Sequence, residues 1–508
     1  MSGVRDHLER EVKLGVWPGF RLPDLGGVAE GVTAAALPER RLEATYYDTS
    51  DVRLARYGIS LRFRTGDGSG WTLKIPEAGT ATTAGLARRE LEVAGSDKAV
   101  PEELSRLLTA WVRSAPLVPV ARLQTLRRGV ALVDADGAAV AEVVDDEVSV
   151  LDGRRLALRF REVEVEVVDG APQGVMEALV ERLRAAGAGP PDPTPKVVRA
   201  LGPQACGPAE LEEPSLGPSP SAGEVIQAGF ARAALRVLDH EAGVRLGDHP
   251  EDVHQARVGT RRLRSDLRTY RPLLEPAWAD GLREELKRLA DPLGEVRDAD
   301  VLLERLRGQL DDLGVDEAGA AKLFSRLEAQ RSEARLALVE VLDSPRHTAL
   351  LDRLVEAGRA PMLLPEAAAP AAEALPQLVR GPWKKLRRAV EGTVDDPSDE
   401  ALHRVRIRAK RCRYAAEVAA IAVGKPARKL AQAVAELQEV LGEHHDVVVA
   451  EAWLRDAAVE ASSEEALVAG QLLAVQRADA DAARRAWPAA WEAARAKKLR
   501  AWLKRVRR

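Results

Sequence analysis

The sequence predicts an α+β chain in two parts: a β-rich stretch over roughly the first 200 residues and an all-helical remainder. Three observations carry this. Charged and apolar residues alternate at a period of two in a series of early segments, the texture turns to helical periodicity after Ala222, and a histidine-led basic segment recurs later in the chain. At 508 residues the chain has room for two or more domains, and 46% hydrophobic with 30% charged residues are globular values.

The first strand is read from Leu8-Glu9-Arg10-Glu11-Val12-Lys13-Leu14. Alternation puts Glu9, Glu11 and Lys13 on one face and Leu8, Val12 and Leu14 on the other. Two carboxylates and one ammonium on one face suit a divalent cation beside an anionic oxygen. Taken alone, the heptad equally fits an edge strand with a solvated charged face. The same face chemistry recurs, however. Leu61-Arg62-Phe63-Arg64 alternates guanidinium groups with apolar partners, Trp71-Thr72-Leu73-Lys74 offers Lys74, and Arg89-Glu90-Leu91-Glu92-Val93 repeats the paired carboxylates. Arg161-Glu162-Val163-Glu164-Val165-Glu166-Val167 gives three more. Closed into a barrel with these faces inward, the strands enclose a polar tunnel, which is costly unless ions or an anionic ligand occupy it. Turn signals at 66–70 and 134–137 separate strands, and helical interruptions are expected near Pro101–Arg113 and Pro172–Ala186. Asp48 reads as a turn cap.

These residues resemble the CYTH domain, the triphosphate tunnel metalloenzyme family, whose signature is Glu-x-Glu-x-Lys near the N-terminus. The ordered series that matches also takes in Arg122, Asp145 and Lys196. The resemblance implies a closed antiparallel barrel over residues 1–201. It assigns catalysis to Glu9, Glu11 and Lys13. Glu9, Glu11, Glu90, Glu92, Asp145, Glu162 and Glu164 would be hard oxygen donors for Mg²⁺ or Mn²⁺. Lys13, Arg62, Arg64, Lys74, Arg122 and Lys196 would bind phosphate oxygens. Lysine is scarce enough to sharpen the match: residues 1–200 contain only Lys13, Lys74, Lys98 and Lys196, and three of these fall on the family's positions.

Residues 202–223 are rich in proline and glycine and read as a linker kept solvated by Glu210, Glu212 and Glu213. Beyond it, a Pro/Ala-rich break between Ala360 and Pro382 divides the helical region into halves of about 224–360 and 376–508. His254-Gln255-Ala256-Arg257 returns 149 positions later as His403-Arg404-Val405-Arg406, and Leu293-Gly294-Glu295 returns 148 positions later as Leu441-Gly442-Glu443. On a helix, His254, Arg257, Arg261, Arg264 and Arg268 form one stripe, opposite a core face of Leu263, Leu267, Tyr270 and Leu274. His403, Arg406, Lys410 and Arg413 repeat the stripe. No acid interrupts Arg404–Arg413, although like charges at this spacing repel, so an anionic partner is expected. These residues resemble the CHAD domain, which implies two pseudo-twofold-related helical bundles over 224–508 and a groove for inorganic polyphosphate. Arg297 and His445, at equivalent repeat positions, would join that groove. Asp298 and Asp446 would orient the basic side chains.

A formal net charge of −4 gives no global case for a nucleic-acid binder. Cys206 and Cys412 suggest neither a disulfide framework nor a zinc site, as suits the cytoplasm. No apolar run approaches the ~20 residues of a membrane span. The expected function is metal-dependent hydrolysis of inorganic triphosphate or short polyphosphate, with the helical domain supplying polyphosphate affinity. Alternatives are a nucleoside triphosphatase or class IV-type adenylate cyclase, and a non-catalytic polyphosphate-binding or granule-associated protein.

Overall fold

The computed structural model describes residues 4–76, 86–168, 170–313, 317–393, 397–459 and 461–504, and side chains outside 4–9, 86–87, 311–312, 317–318 and 504. The chain divides into two compact units, Met1–Glu210 and Leu211–Arg508.

Among the described residues, the first unit is built on nine strands: β1 (Val4–Gly15), β2 (Thr33–Ala36), β3 (Arg40–Asp48), β4 (Ser60–Thr65), β5 (Gly70–Pro76), β6 (Leu86–Ala94), β7 (Val118–Val133), β8 (Ala139–Asp152) and β9 (Arg155–Val167). They form one curled antiparallel sheet in the order β2-β7-β3-β4-β5-β6-β1-β9-β8, and β7 pairs with β8 as well. The alternation in the sequence is used as two buried faces. On β1, Val12 and Leu14 are buried on one side while Glu11 and Lys13 are buried on the other. The apolar side, with Val143, Val163 and Val165, packs against Val175, Leu179 and Leu183 of a helix over Val175–Ala185. The charged side therefore faces the concave interior.

Short helices complete this unit: α1 (Arg53–Arg56), α2 (Glu102–Leu107), α3 (Thr109–Val112), α4 (Val175–Ala185) and α5 (Lys196–Leu201). Asp48 accepts backbone N–H bonds from Thr49, Leu54 and Ala55 and so fixes the turn into α1. Towards one end the concave face turns apolar, with Ala44, Tyr46, Leu123, Val148 and Val150 clustered against Val197 of α5. That plug sets Lys196, at the start of α5, against the polar interior. The segment expected to be a solvated linker is partly packed. Glu210 pairs with Arg113, Glu213 with Arg232, and Leu211 is buried.

The second unit is helical: α6 (Ala222–Leu246), α7 (Pro250–Thr269), α8 (Pro276–Leu313), α9 (Glu317–Leu342), α10 (Pro345–Arg359), α11 (Ala371–Glu391), α12 (Asp399–Val423), α13 (Lys425–Val459) and α14 (Ser463–Ala494). Ser221 and Glu224 form a reciprocal cap at the start of α6. Leu263 and Leu267 are buried as the stripe predicts, but α7 stops at Thr269, so buried Tyr270 and Leu274 lie beyond its end. Gly259 permits the close crossing of α6 and α7, since a Cβ there would lie 2.8 Å from the Ala233 carbonyl oxygen. The expected break before residue 376 is shorter than read, because α11 begins at Ala371 and carries Pro376 and Pro382 within it.

Candidate functional site

The concave interior of the first unit holds a cavity of about 230 Å³, and strand register explains its lining. Lys13 on β1 lies opposite Glu164 on β9, and Lys74 on β5 opposite Glu90 on β6. These neighbours become ion pairs. Lys13 Nζ is 3.0 Å from both Glu11 Oε1 and Glu164 Oε1, and Lys74 Nζ is 2.7 Å from Glu90 Oε2. Lys196 reaches in from α5 to Asp146, Glu162 and Glu164 at 2.9, 2.9 and 2.8 Å. Arg62, Arg64 and Glu92 also line the cavity.

Electrostatics follow from this pairing. Burial disfavours charge on Lys13, but Glu11 and Glu164 outweigh it and raise its pKa. Burial likewise opposes charge on Lys196, and Glu164, Asp146 and Glu162 hold its pKa well above the ordinary value. Glu164, whose charge burial also disfavours, is kept well below the carboxylate range by Lys13, Lys196 and Arg127. Both interior signs are thus charged at neutral pH.

Two expected site residues lie elsewhere. Arg122 is on the outer side of β7, its side chain 58% exposed and 3.6 Å from Glu43. Asp145 is held by Arg161 at 2.6 and 2.8 Å on the face away from the cavity. Strand parity gives the reason. Leu123, Thr125 and Arg127 are the concave positions of β7, and Glu142, Val144 and Asp146 those of β8. Arg127 and Asp146, which sequence reasoning did not select, form a bidentate pair at 2.8 and 2.7 Å, with Glu164 3.3 Å from Arg127. Arg40 and Arg88 complete the basic lining. The side chain of Glu9 lies outside the described residues; its backbone sits in β1 opposite Arg88. Arg122→Ala is therefore expected to change stability by no more than about 0.5 kcal/mol. Arg127→Ala leaves buried Asp146 with Lys196 as its one remaining ion-pair partner and costs about 3 kcal/mol. Urea denaturation of the two variants checks the ranking.

A metal fits the donor set by its chemistry. Glu11, Glu162 and Glu164 are buried oxygen donors, and neither Glu162 oxygen accepts a well-formed hydrogen bond, although Lys196 Nζ lies 2.9 Å from Oε1. Among the described residues, no three acids, histidines or cysteines converge as a preformed metal cage. The carboxylates are apportioned to lysines instead.

The second unit encloses a larger cavity of about 760 Å³ between α7, α8, α12 and α13. His254, Arg257, Arg261, Arg264 and Arg268 enter it from α7 and Arg297 from α8. His403, Arg406 and Lys410 enter from α12 and His445 from α13. The repeat is visible in the ion pairs: Arg257 lies 3.2 Å from Asp298, and Arg406 lies 3.6 Å from Asp446. His403 and His445 meet at 3.0 Å through their Nδ1 atoms. The Nε atoms of Arg261, Arg264 and Arg406 are buried without a hydrogen-bond partner. Burial, followed by Arg406, Arg261 and Arg257, pushes the Lys410 pKa down to about 7. Arg413 is the exception among the expected residues. It turns away to Glu417 at 2.6 Å and Gln438 at 3.3 Å, and Arg411 lines the cavity in its place. Arg283, Lys287 and Arg305, all on α8, were not marked by the histidine-led repeat.

Two cavities, one lined by alternating acids and bases and one predominantly basic, mark the two units. The family models agree in position: a CYTH domain matches residues 7–192 and a CHAD domain residues 228–455. The chain is 36% identical over 501 residues to the uncharacterized protein Rv2226 of Mycobacterium tuberculosis, covering 93% of each. It belongs to that family of proteins, in which a CYTH domain is followed by a CHAD domain. Among solved structures, the CHAD domain from Ricinus communis is 27% identical at a TM-score of 0.45, covering 58% of this chain and 96% of its own. The PH1819 protein from Pyrococcus horikoshii is 16% identical at a TM-score of 0.24, covering 38% of this chain and 97% of its own. No helix among the described residues is long and apolar enough to cross a membrane.

Proposed function

We propose that the first unit hydrolyses inorganic triphosphate or short polyphosphate with Mg²⁺ or Mn²⁺, and that the second binds inorganic polyphosphate. In this reading the curled sheet works as a closed tunnel over residues 1–201, and the two helical halves are related by pseudo-twofold symmetry. The observation that carries it is the charged interior, in which Lys13 and Lys196 neutralise Glu11, Glu162, Glu164 and Asp146. Members of the CYTH family are triphosphatases or cyclases. A phosphate chain takes over the donors of Lys13, Arg62, Arg64, Lys74, Arg127 and Lys196, which position it along the cavity. Glu11, Glu162 and Glu164 would then be free to hold the cation, which would supply neutralisation of phosphate oxygens and a polarised water. Val197 and its neighbours make the other end apolar.

The test is phosphate release from tripolyphosphate, ATP and long-chain polyphosphate. Tripolyphosphate is expected to be the best substrate, and excess EDTA to abolish turnover. Glu11→Gln, nearly isosteric, should fold normally and lose at least ~100-fold in turnover. Undiminished release by that variant or in EDTA would refute the assignment.

A further inference from the structure

Past the histidines, the basic cavity of the helical unit continues to a second cluster. Arg264 and Arg268 on α7, Arg283 and Lys287 on α8, and Arg411 on α12 line that end. They are crowded: burial, then Arg268, Arg408, Arg264 and Arg283, push the Arg411 pKa down to about 10. Arg264 Nε is buried there without a hydrogen-bond partner. The acids nearby are few and peripheral. Glu284 lines the cavity but pairs with Arg283 only at 3.7 Å, Asp280 meets Arg283 at 3.4 Å, and Asp291 acts on Arg264. Guanidinium groups gathered with so little compensation favour an anion among them.

The sequence repeat supplies an internal control. Moving Arg264 and Arg268 forward by 149 positions, and Arg283 and Lys287 by 148, lands on Arg413, Glu417, Ala431 and Ala435. Those four line a separate groove of about 430 Å³. Its lining does not keep the charge. Three of the four cations become one acid and two alanines, and the remaining Arg413 is bound to that acid at 2.6 Å. The two ends of the repeat therefore differ in whether a phosphate chain can be held there.

We propose that a polyphosphate chain leaves the His/Arg centre in one direction only, over a phosphate subsite formed by Arg264, Arg268, Arg283, Lys287 and Arg411. This rests on the reading of the helical unit as a polyphosphate binder. The subsite adds affinity only for chains long enough to span both clusters, so it sets the preferred length and gives the bound chain a single exit.

The experiment titrates long-chain polyphosphate into the full chain in EDTA, so that hydrolysis is silent, and compares three variants of retained helicity. Arg283→Ala with Lys287→Ala is expected to weaken binding about tenfold and to lower the salt dependence by about two released counterions. Arg428→Ala, in the equivalent groove, leaves binding unchanged. Arg406→Ala with Lys410→Ala, at the centre, removes binding. If the centre variant loses binding while Arg283→Ala/Lys287→Ala matches wild type, or Arg428→Ala weakens binding equally, the one-way subsite is wrong and the polyphosphate reading stands. If wild type does not bind, or the centre variant binds as wild type does, both are wrong.

Discussion

Lys196→Ala is expected to destabilise the first unit by about 3–5 kcal/mol, the cost of removing one partner from a buried ion pair. For a domain of this size that is a fall in melting temperature of roughly 10 °C. The magnitude follows from how many carboxylates one ammonium serves. Asp146, Glu162 and Glu164 all lie within 2.9 Å of its Nζ, and Asp146 and Glu162 are fully buried. The pH dependence separates this from a packing defect. In the native unit Glu164 titrates well below its ordinary range, so its contribution is present above the unfolded value and is lost as pH falls through the folded one. Without Lys196, burial of Glu164 and Asp146 is opposed only by Lys13 and Arg127, so both carboxyls titrate higher than in the wild type. Acidification from pH 8 into the carboxylate range should therefore narrow the gap between variant and wild type. Thermal melts across that range check it; a small loss, or a gap independent of pH, would show that the three acids are served by other groups.

The second large effect concerns Lys410. Its pKa of about 7 reflects burial, then crowding by Arg406, Arg261 and Arg257, with Asp446 opposing. A bound phosphate chain compensates that crowding and returns the amine towards its ordinary value near 10.4. Binding above pH 7 must then take up a proton. Polyphosphate affinity is expected to fall about tenfold per pH unit between roughly pH 7 and 9, a consequence of linkage. The neighbouring imidazoles do not supply this window. His445 is pushed down to about 3, by burial first and then Arg406, and His403 lies below its usual value from burial and Arg406, so both are neutral across it. Lys410→Arg keeps the charge at every pH in the window and should flatten the profile. Calorimetry in buffers of different ionisation enthalpy reads the proton directly. No uptake at pH 8, or the same slope in Lys410→Arg, would contradict it.

Much of the first site was legible because its chemistry coincides with clean alternation. Lys13, Arg62, Arg64, Lys74, Glu90 and Glu164 sit where a strict period of two places them, and lysine is too scarce in this half for three matches to be idle. Legibility fails where the concave face changes character. On β7 and β8 the inward positions run from Leu123, Val148 and Val150 to Arg127 and Asp146, so charge and apolarity no longer mark opposite faces. Arg122 and Asp145, which the family resemblance supplied, sit on the outer parity of those strands. The helical site shows the complementary failure. Repeat spacing located α7 and α12 and sets Glu417 where Arg268 stands in the first copy, but it could not reveal that Glu417 captures Arg413. Nor does a histidine-led repeat mark Arg283 and Lys287, whose counterparts are alanines.

The pairing of Lys13 and Lys196 with Glu11, Glu162, Glu164 and Asp146 also bears on how the tunnel answers concentration. An interior already balanced by its own side chains gives neither an anion nor a cation an unopposed partner. Each ligand arriving alone strands the opposite charge in a buried place. Each arriving after the other finds its partners already vacated. On the proposed function, anion and divalent cation are therefore mutual effectors, and thermodynamic reciprocity requires that whatever factor one gains from the other be returned in full. A tunnel working in this way would respond to the product of two concentrations, staying empty in cation-poor conditions even when phosphate chains abound.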